Sequence, residues 1–199
     1  MSTVETAADQ HAFVPVTLDL GDIVLRPWGR TADVRGGAVP GLLAAAADPA
    51  IALWNPIRVT DEASAEAFLD RCDAGWASGD SAAFAVLDGT DATLLGNVSL
   101  RWTNRADRLA MTGYWLTPAA RGRGAATRAT RAVTSWGIAT AGTRRIEIAH
   151  AVGNTASCRV AERCGFPAEG TLRESHRFGD GKYHDEHLHA RLATDPEPA

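Results

Sequence analysis

The sequence predicts a mixed α+β domain, a mostly antiparallel sheet flanked by helices with one local crossover. Two observations carry this. Strand patterns at 84–87, 93–100 and 109–116 follow one another with short turns between them, as in an antiparallel meander. The third runs into a glycine loop, Arg121-Gly122-Arg123-Gly124. Ala125, Ala129, Val133, Trp136 and Thr140 then recur at near-helical spacing before a further strand at 145–149.

The other elements follow in order. Residues 1–12 are low in apolar content and read as a disordered tail, with the folded domain at 13–193 and a second tail at 194–199. Leu18, Leu20, Ile23 and Leu25 mark one or two strands about a Gly21-Asp22 turn. Residues 31–47 are alanine-rich and helical, split in two by Pro40-Gly41, and Asp48-Pro49 ends that unit. Thr60 is placed to cap a helix with Asp61 and Glu62 in its first turn, and Ala63, Ala67, Phe68, Cys72 and Trp76 on one face. Gly79 ends it, as Gly142 ends the helix after the glycine loop. Asn154 caps a helix that runs through Arg163. A hairpin at 168–178 and 183–192 turns at Gly179-Asp180-Gly181.

Composition bounds the function. At 199 residues and 45% hydrophobic, the chain has one domain with a sizeable core. A net charge of −4 argues against nucleic acid as a partner. No apolar run approaches the roughly 20 residues of a membrane span. The first ten residues lack a signal-peptide pattern. Cys72, Cys158 and Cys164 are odd in number and outside metal-ligand spacing, and read as reduced thiols of a cytoplasmic protein. His184, His187 and His189 alternate with Asp185 and Glu186. This reads as a polar strand edge, and no metal is expected.

The glycine loop is the chemical centre. A strand end, a glycine-rich turn and a helix N-terminus together form an anion site, because first-turn N–H groups lack intrahelical partners and the dipole is positive there. The bland alternative is a strand-to-helix connection that uses glycine for packing. A phosphate-binding P-loop is excluded, since no lysine and Ser/Thr pair follows Gly124. A dinucleotide fingerprint fits poorly, because the third glycine is missing.

Arg121-Gly122-Arg123-Gly124-Ala125-Ala126, standing after Gly113-Tyr114-Trp115-Leu116, resembles the Arg/Gln-x-x-Gly-x-Gly/Ala pattern of the GCN5-related N-acetyltransferases. Asn154-Thr155-Ala156-Ser157 through Cys164-Gly165-Phe166 resembles a second block of the family, in the branch of the ribosomal-protein N-terminal alanine acetyltransferases. Leu25-Arg26-Pro27-Trp28 and the closing hairpin are similar to that branch too. The resemblance implies a central sheet with a splayed strand pair that holds acetyl-coenzyme A as co-substrate. It implies that backbone N–H groups of Arg121, Gly122, Arg123, Gly124, Ala125 and Ala126 cradle the pyrophosphate. It also implies that Trp115, Leu116 and Thr117 offer backbone hydrogen bonds to the pantetheine arm, with Asn154 bonding the same arm.

Acetyl transfer to an amine needs a neutral amine, a stabilised oxyanion and a proton for the leaving thiolate. By the resemblance Ser157, which is expected to touch the cofactor as well, supplies that proton. Asn154 and Ser157 also suit a plain helix start. The branch often carries a glutamate just before Gly-Tyr-Trp-Leu; here Ala110, Met111 and Thr112 stand there. His176, Glu147 and His150 are the substitutes for a base, and transfer through ordered water or with no base also fits. The implied acceptor is a protein N-terminal α-amine. A small-molecule amine and a catalytically weak acyl-CoA-binding protein remain open, as does a homodimer.

Overall fold

The computed structural model describes residues 11–198. The expectations for residues 1–10 and Ala199 lie outside the described residues. The elements are β1 (Leu18–Asp19), β2 (Ile23–Pro27), α1 (Ala38–Ala46), α2 (Pro49–Trp54), α3 (Glu62–Ser78), β3 (Ser81–Asp88), β4 (Leu94–Asn104), β5 (Leu109–Leu116), α4 (Ala125–Ala141), β6 (Arg145–Ala151), α5 (Thr155–Arg163), β7 (Ala168–Arg177) and β8 (Tyr183–Leu192). The strands form one sheet in the order β1-β2-β3-β4-β5-β6-β8-β7. Its neighbours are antiparallel except β5 and β6, which the α4 crossover makes parallel.

That parallel ladder is short. Leu109, Ala110 and Met111 pair with Arg145, Ile146 and Glu147. Beyond it β5 continues to Leu116 and β6 to Ala151, so the strands part and their facing edges are left without a sheet partner. A core fills each face of the sheet. One gathers Phe84, Val86, Val98, Leu100, Ile146 and Ile148 beneath Ala125, Ala129 and Val133 of α4. The other gathers Ala85, Leu87 and Trp115 against Leu42, Ile51, Leu69 and Cys72 of the N-terminal helices. Ala85 and Val86 fall in different cores because successive strand side chains point to opposite faces.

Several boundaries differ from the sequence reading. Pro40 does not split the alanine-rich stretch: it sits in the first turn of α1, where its missing N–H has no intrahelical partner to lose. The break falls at Asp48-Pro49, which starts α2 rather than ending the unit. Asp48 caps α2 through Ile51 N–H, with Pro49 in the first turn. Asp61, not Thr60, caps α3, in a reciprocal box with Ser64. The buried face of α3 is Ala65, Leu69, Cys72 and Trp76; Cys72 and Trp76 are as expected, whereas Ala63 and Ala67 are exposed.

Described residues at both ends of the chain make contacts with the domain. His11 Nδ1 donates to the Ala141 carbonyl at 3.0 Å, and Phe13 stacks on Trp102 with centroids 4.7 Å apart. At the other end the buried Arg191 guanidinium needs partners. It donates to the Pro196 carbonyl at 3.3 Å and pairs with Glu197 at 3.1 Å, which folds the C-terminal segment back. Strand β8 is not an edge. It lies between β6 and β7, and His189 is fully buried, so the polar-edge reading of that strand is overturned.

Candidate active site

Where β5 and β6 part, a cleft of about 1060 Å³ opens. That is at the upper end of the roughly 300–1,000 Å³ of ligand pockets. Its floor is the free edge of β5. One wall is the glycine loop with the start of α4; the other is Ile148, Ala149 and His150 of β6 with the start of α5. The α2–α3 connection, His176 and Arg177 of β7, and Phe178 just beyond it close the far end.

The loop is built for close approach. Gly122 and Gly124 have φ of 76° and 74°, a region that costs other residues energy. A Cβ at either would meet nothing within 4 Å, so the space before the backbone is open. The first intrahelical bond of α4 runs from Arg128 N–H to the Gly124 carbonyl. Among the described residues no side chain caps the helix, and its first turn holds no acid. The N–H groups of Ala125, Ala126 and Thr127 are thus unpaired within the helix at the cleft wall.

The Arg121 side chain has partners of its own outside the loop. Arg121 turns its guanidinium to Asp48, bonding both carboxylate oxygens, and donates to the Leu116 carbonyl from Nε at 3.2 Å and Nη2 at 3.0 Å. It ties the loop to α2 and β5. The Asp48 carboxyl is held below its usual range by that arginine, against the opposing effect of burial. Arg123 borders a separate small cavity with Asp22, Asp88 and Arg128.

Alternation along β5 decides which backbone groups face the gap. Thr117 N–H donates to the Leu95 carbonyl at 2.9 Å, and the Trp115 carbonyl packs against Gly96, so both residues face β4. Tyr114 and Leu116 face the gap instead. The Leu116 carbonyl is taken by Arg121, and the Tyr114 carbonyl accepts from Asn55 Nδ2 at 2.9 Å. Of the expected trio only Leu116 stays on the open side, and Tyr114 replaces Trp115 and Thr117.

Asn154 caps α5, its Oδ1 accepting from Ser157 N–H at 3.2 Å. The cap fixes Ser157 in the first turn with its hydroxyl toward β5, where Ser157 Oγ lies 2.8 Å from Tyr114 Oη. Burial pushes the Tyr114 phenol well above its ordinary range, with the Ser157 bond opposing, so it stays protonated. Sequence reading missed this pair. The period-two pattern of β5 would have placed Tyr114 beside the gap, but not opposite Ser157.

The base candidates separate. Glu147 sits where β5 and β6 are still paired and accepts from Arg145 Nε at 2.8 Å; Arg145 also grips Glu169 at 2.9 and 2.6 Å. Glu147 does not border the cleft and is withdrawn as a base. His176 borders it, with its ring 4.8 Å from that of Phe178. His150 borders it too, buried, its basicity lowered chiefly by desolvation. The ionisable lining is otherwise cationic: Arg58, Arg101, Arg121, Arg159, Arg163 and Arg177 against the single carboxylate of Glu186.

Comparison with known proteins agrees with this geometry. A Bacillus subtilis (strain 168) protein provisionally named ribosomal N-acetyltransferase YdaF is 35% identical over 95 residues, 48% of this chain and 51% of the relative. The matched stretch thus spans about half the length of the curated relatives. The ribosomal-protein-S5-alanine acetyltransferase of Vibrio fischeri superposes with a TM-score of 0.79 at 20% identity, covering 92% of this chain and 100% of that one. RimL, a ribosomal L7/L12 α-N-protein acetyltransferase solved with coenzyme A, does so with a TM-score of 0.76 at 22% identity, covering 89% of this chain and 98% of that one. The sequence model of the acetyltransferase (GNAT) domain matches residues 22–167, most of the chain, and with the splayed strands and glycine loop already in place the chain belongs to the GNAT acetyltransferase family.

Proposed function

We propose that this chain is an acetyl-coenzyme A-dependent N-acetyltransferase acting on a protein N-terminal α-amine. One observation carries the reading: the uncapped start of α4 and the Ser157–Tyr114 pair line one cleft, opened where β5 and β6 part. The donor lies along the gap, its pyrophosphate on the N–H groups from Gly122 to Thr127. The free edge of β5 holds the pantetheine arm. Neither arginine of the loop is needed for the anion, because the helix start supplies donors and a positive dipole.

The acceptor amine attacks the thioester carbonyl. As the C–S bond breaks, Ser157 Oγ gives its proton to the departing thiolate; the proton lost by the amine, returned through solvent, restores the serine, and Tyr114 Oη, 2.8 Å away and still protonated, holds Ser157 Oγ in place. Holding amine and thioester in line supplies much of the rate. Among the described residues His176 is the base candidate that borders the cleft with no side-chain hydrogen bond to the sheet, and imidazole chemistry suits the role.

Charge favours the acceptor class. Arg58, Arg101 and Arg177 on the acceptor side repel a polycation. A polyamine or a polycationic antibiotic fits this cleft poorly. A peptide α-amine followed by acidic residues, or a small amine that carries an anionic group, fits it well. Residues 13–193 act as the catalytic unit, and a ribosomal-protein acceptor places it in the cytoplasm. The test is thiol release from acetyl-coenzyme A with a panel of amines. Turnover on acidic N-terminal peptides supports the reading. Turnover confined to small amines would move the acceptor, and tight acetyl-coenzyme A binding with no turnover would leave a binding module.

A further inference from the structure

Behind the Ser157 wall lies a cluster that the acetyl-transfer reading does not use. His150 on β6, His187 and His189 on β8 and Cys158 on α5 bring one donor atom each to within 4.8 Å of one another. Strand β8 alone offers no ligand set. The other donors arrive because β8 pairs with β6, His150 opposite His187, and because α5 brings Cys158 Sγ to 3.9 Å from His189 Nε2.

The hydrogen bonds fix which nitrogens are free. His150 Nδ1 lies 2.9 Å from the Ala151 carbonyl, and His189 Nδ1 lies 3.0 Å from the Phe166 carbonyl. A carbonyl only accepts, so both Nδ1 atoms carry protons and both Nε2 atoms present lone pairs in the neutral rings. Those two Nε2 atoms face each other at 3.2 Å, with His150 4% and His189 0% exposed. Two buried lone pairs at that distance repel. Either a proton or a metal ion must sit between them.

A tetrahedral zinc site, with bonds of about 2.0–2.1 Å to nitrogen and 2.3 Å to sulfur, sets edges of roughly 3.3 Å between nitrogens and 3.6 Å from nitrogen to sulfur. The Nε2 pair at 3.2 Å and Cys158 Sγ at 3.9 Å from His189 Nε2 are close to that already. The carbonyl bonds at both Nδ1 atoms are the outer support that metal-binding histidines use. We infer that His150, Cys158, His187 and His189 form a closed zinc site that clips α5 to β6 and β8. Three imidazoles and one thiolate with no open position make it structural rather than catalytic. Binding releases the Cys158 proton; Glu162, whose Oε1 accepts from that thiol at 3.7 Å, is the nearest base. Cys158 follows Ser157 in the first turn of α5, so the ion also steadies the helix start that presents the serine.

The test uses tag-free, full-length protein, dialysed against chelator and then loaded with zinc(II) or cobalt(II) alone. One zinc per chain should remain after desalting. Cobalt(II) should give tetrahedral visible bands and a near-ultraviolet thiolate charge-transfer band. Cys158→Ser should abolish the charge-transfer band. His187→Ala, at a half-exposed position that can be truncated without opening the core, should weaken cobalt binding by more than the roughly 10–100-fold typical of losing an outer-shell partner. Zinc should also shield Cys158 from alkylation. Less than a tenth of an equivalent bound, or binding unchanged in both variants, overturns the site. A single proton shared between the Nε2 atoms, seen by nitrogen NMR in zinc-treated protein, would overturn it as well.

Discussion

Two helices start at the same cleft and are finished in opposite ways. Helix α4 begins behind Gly124, in the left-handed region, with no side-chain cap and no acid in its first turn among the described residues. Helix α5 begins behind Asn154, whose side chain accepts from Ser157 N–H. The distant α3 is closed more fully still, by the Asp61–Ser64 box and Glu62. Helix starts need partners for their first N–H groups. Where a side chain supplies them, the helix start can present something else, here a hydroxyl. Where none does, an anionic ligand completes the structure. On the present reading the chain spends its capping residue at the helix that positions a proton donor and withholds it at the helix that binds phosphate.

The largest test is to give α4 an anion of its own. Gly124→Glu places a carboxylate where the pyrophosphate would lie. At about 4 Å and an effective dielectric of about 20, each like-charge contact costs about 4 kcal/mol, on the order of a thousandfold in acetyl-coenzyme A affinity. Gly124→Ala controls for backbone strain, since φ of 74° costs an alanine roughly 1–2 kcal/mol without adding charge. Calorimetric titration with acetyl-coenzyme A checks both. Equal affinity for Gly124→Glu and the unaltered protein would place the anion elsewhere. At α5 the corresponding change is Ser157→Ala. It should leave acetyl-coenzyme A affinity intact and lower kcat by about 100-fold or more, as expected for a lost general acid. An unchanged kcat would remove Ser157 from the chemistry and make α5 a capped helix and nothing more.

The contrast between the helix starts was legible in the sequence, and its surroundings were not. Gly122, Gly124 and Asn154 act through local backbone geometry, which a few neighbouring residues determine, so their positions are as read. Strand β5 and helix α5 fall on the residues their patterns predicted. What sequence left open depends on distant partners. Arg121 and Asp48 are 73 residues apart, and no local pattern says that the arginine turns from the ligand to cap this contact. Glu147 looks free on an alternating strand until Arg145, itself anchored by the distant Glu169, pairs with it. His189 alternates like a surface residue, yet the sheet order inserts β8 between β6 and β7 and buries it. Strand order is set by which edges pair, and that information is spread over the whole chain.

A smaller effect tests the cap itself. Asn154→Ala removes the acceptor for Ser157 N–H and should cost about 1 kcal/mol in urea unfolding. It should lower kcat as well, because Ser157 loses its fixed position against Tyr114. Full stability in that variant would mean that packing of Ala161 and Cys164, not the cap, holds the start of α5.

The smallest effect isolates Arg121. Asp48→Asn keeps an oxygen to cap α2 at Ile51 and removes the charge that engages the arginine. The partly exposed pair should be worth about 0.2–1 kcal/mol at neutral pH. Arg121 holds the Asp48 carboxyl below its ordinary 3.8 in the folded chain. The stabilisation is therefore present above pH 3.8 and is lost as pH falls through the lower folded-state value, so the two proteins should converge in stability at the acid end of a urea series. The decisive measurement is the affinity of the same variant for acetyl-coenzyme A. If the unpaired N–H groups of α4 hold the pyrophosphate, freeing Arg121 changes the dissociation constant by no more than about twofold, under about 0.5 kcal/mol. A gain of about tenfold would mean that Arg121 leaves Asp48 to join the ligand, and α4 would then rely on a side chain after all, as α5 does.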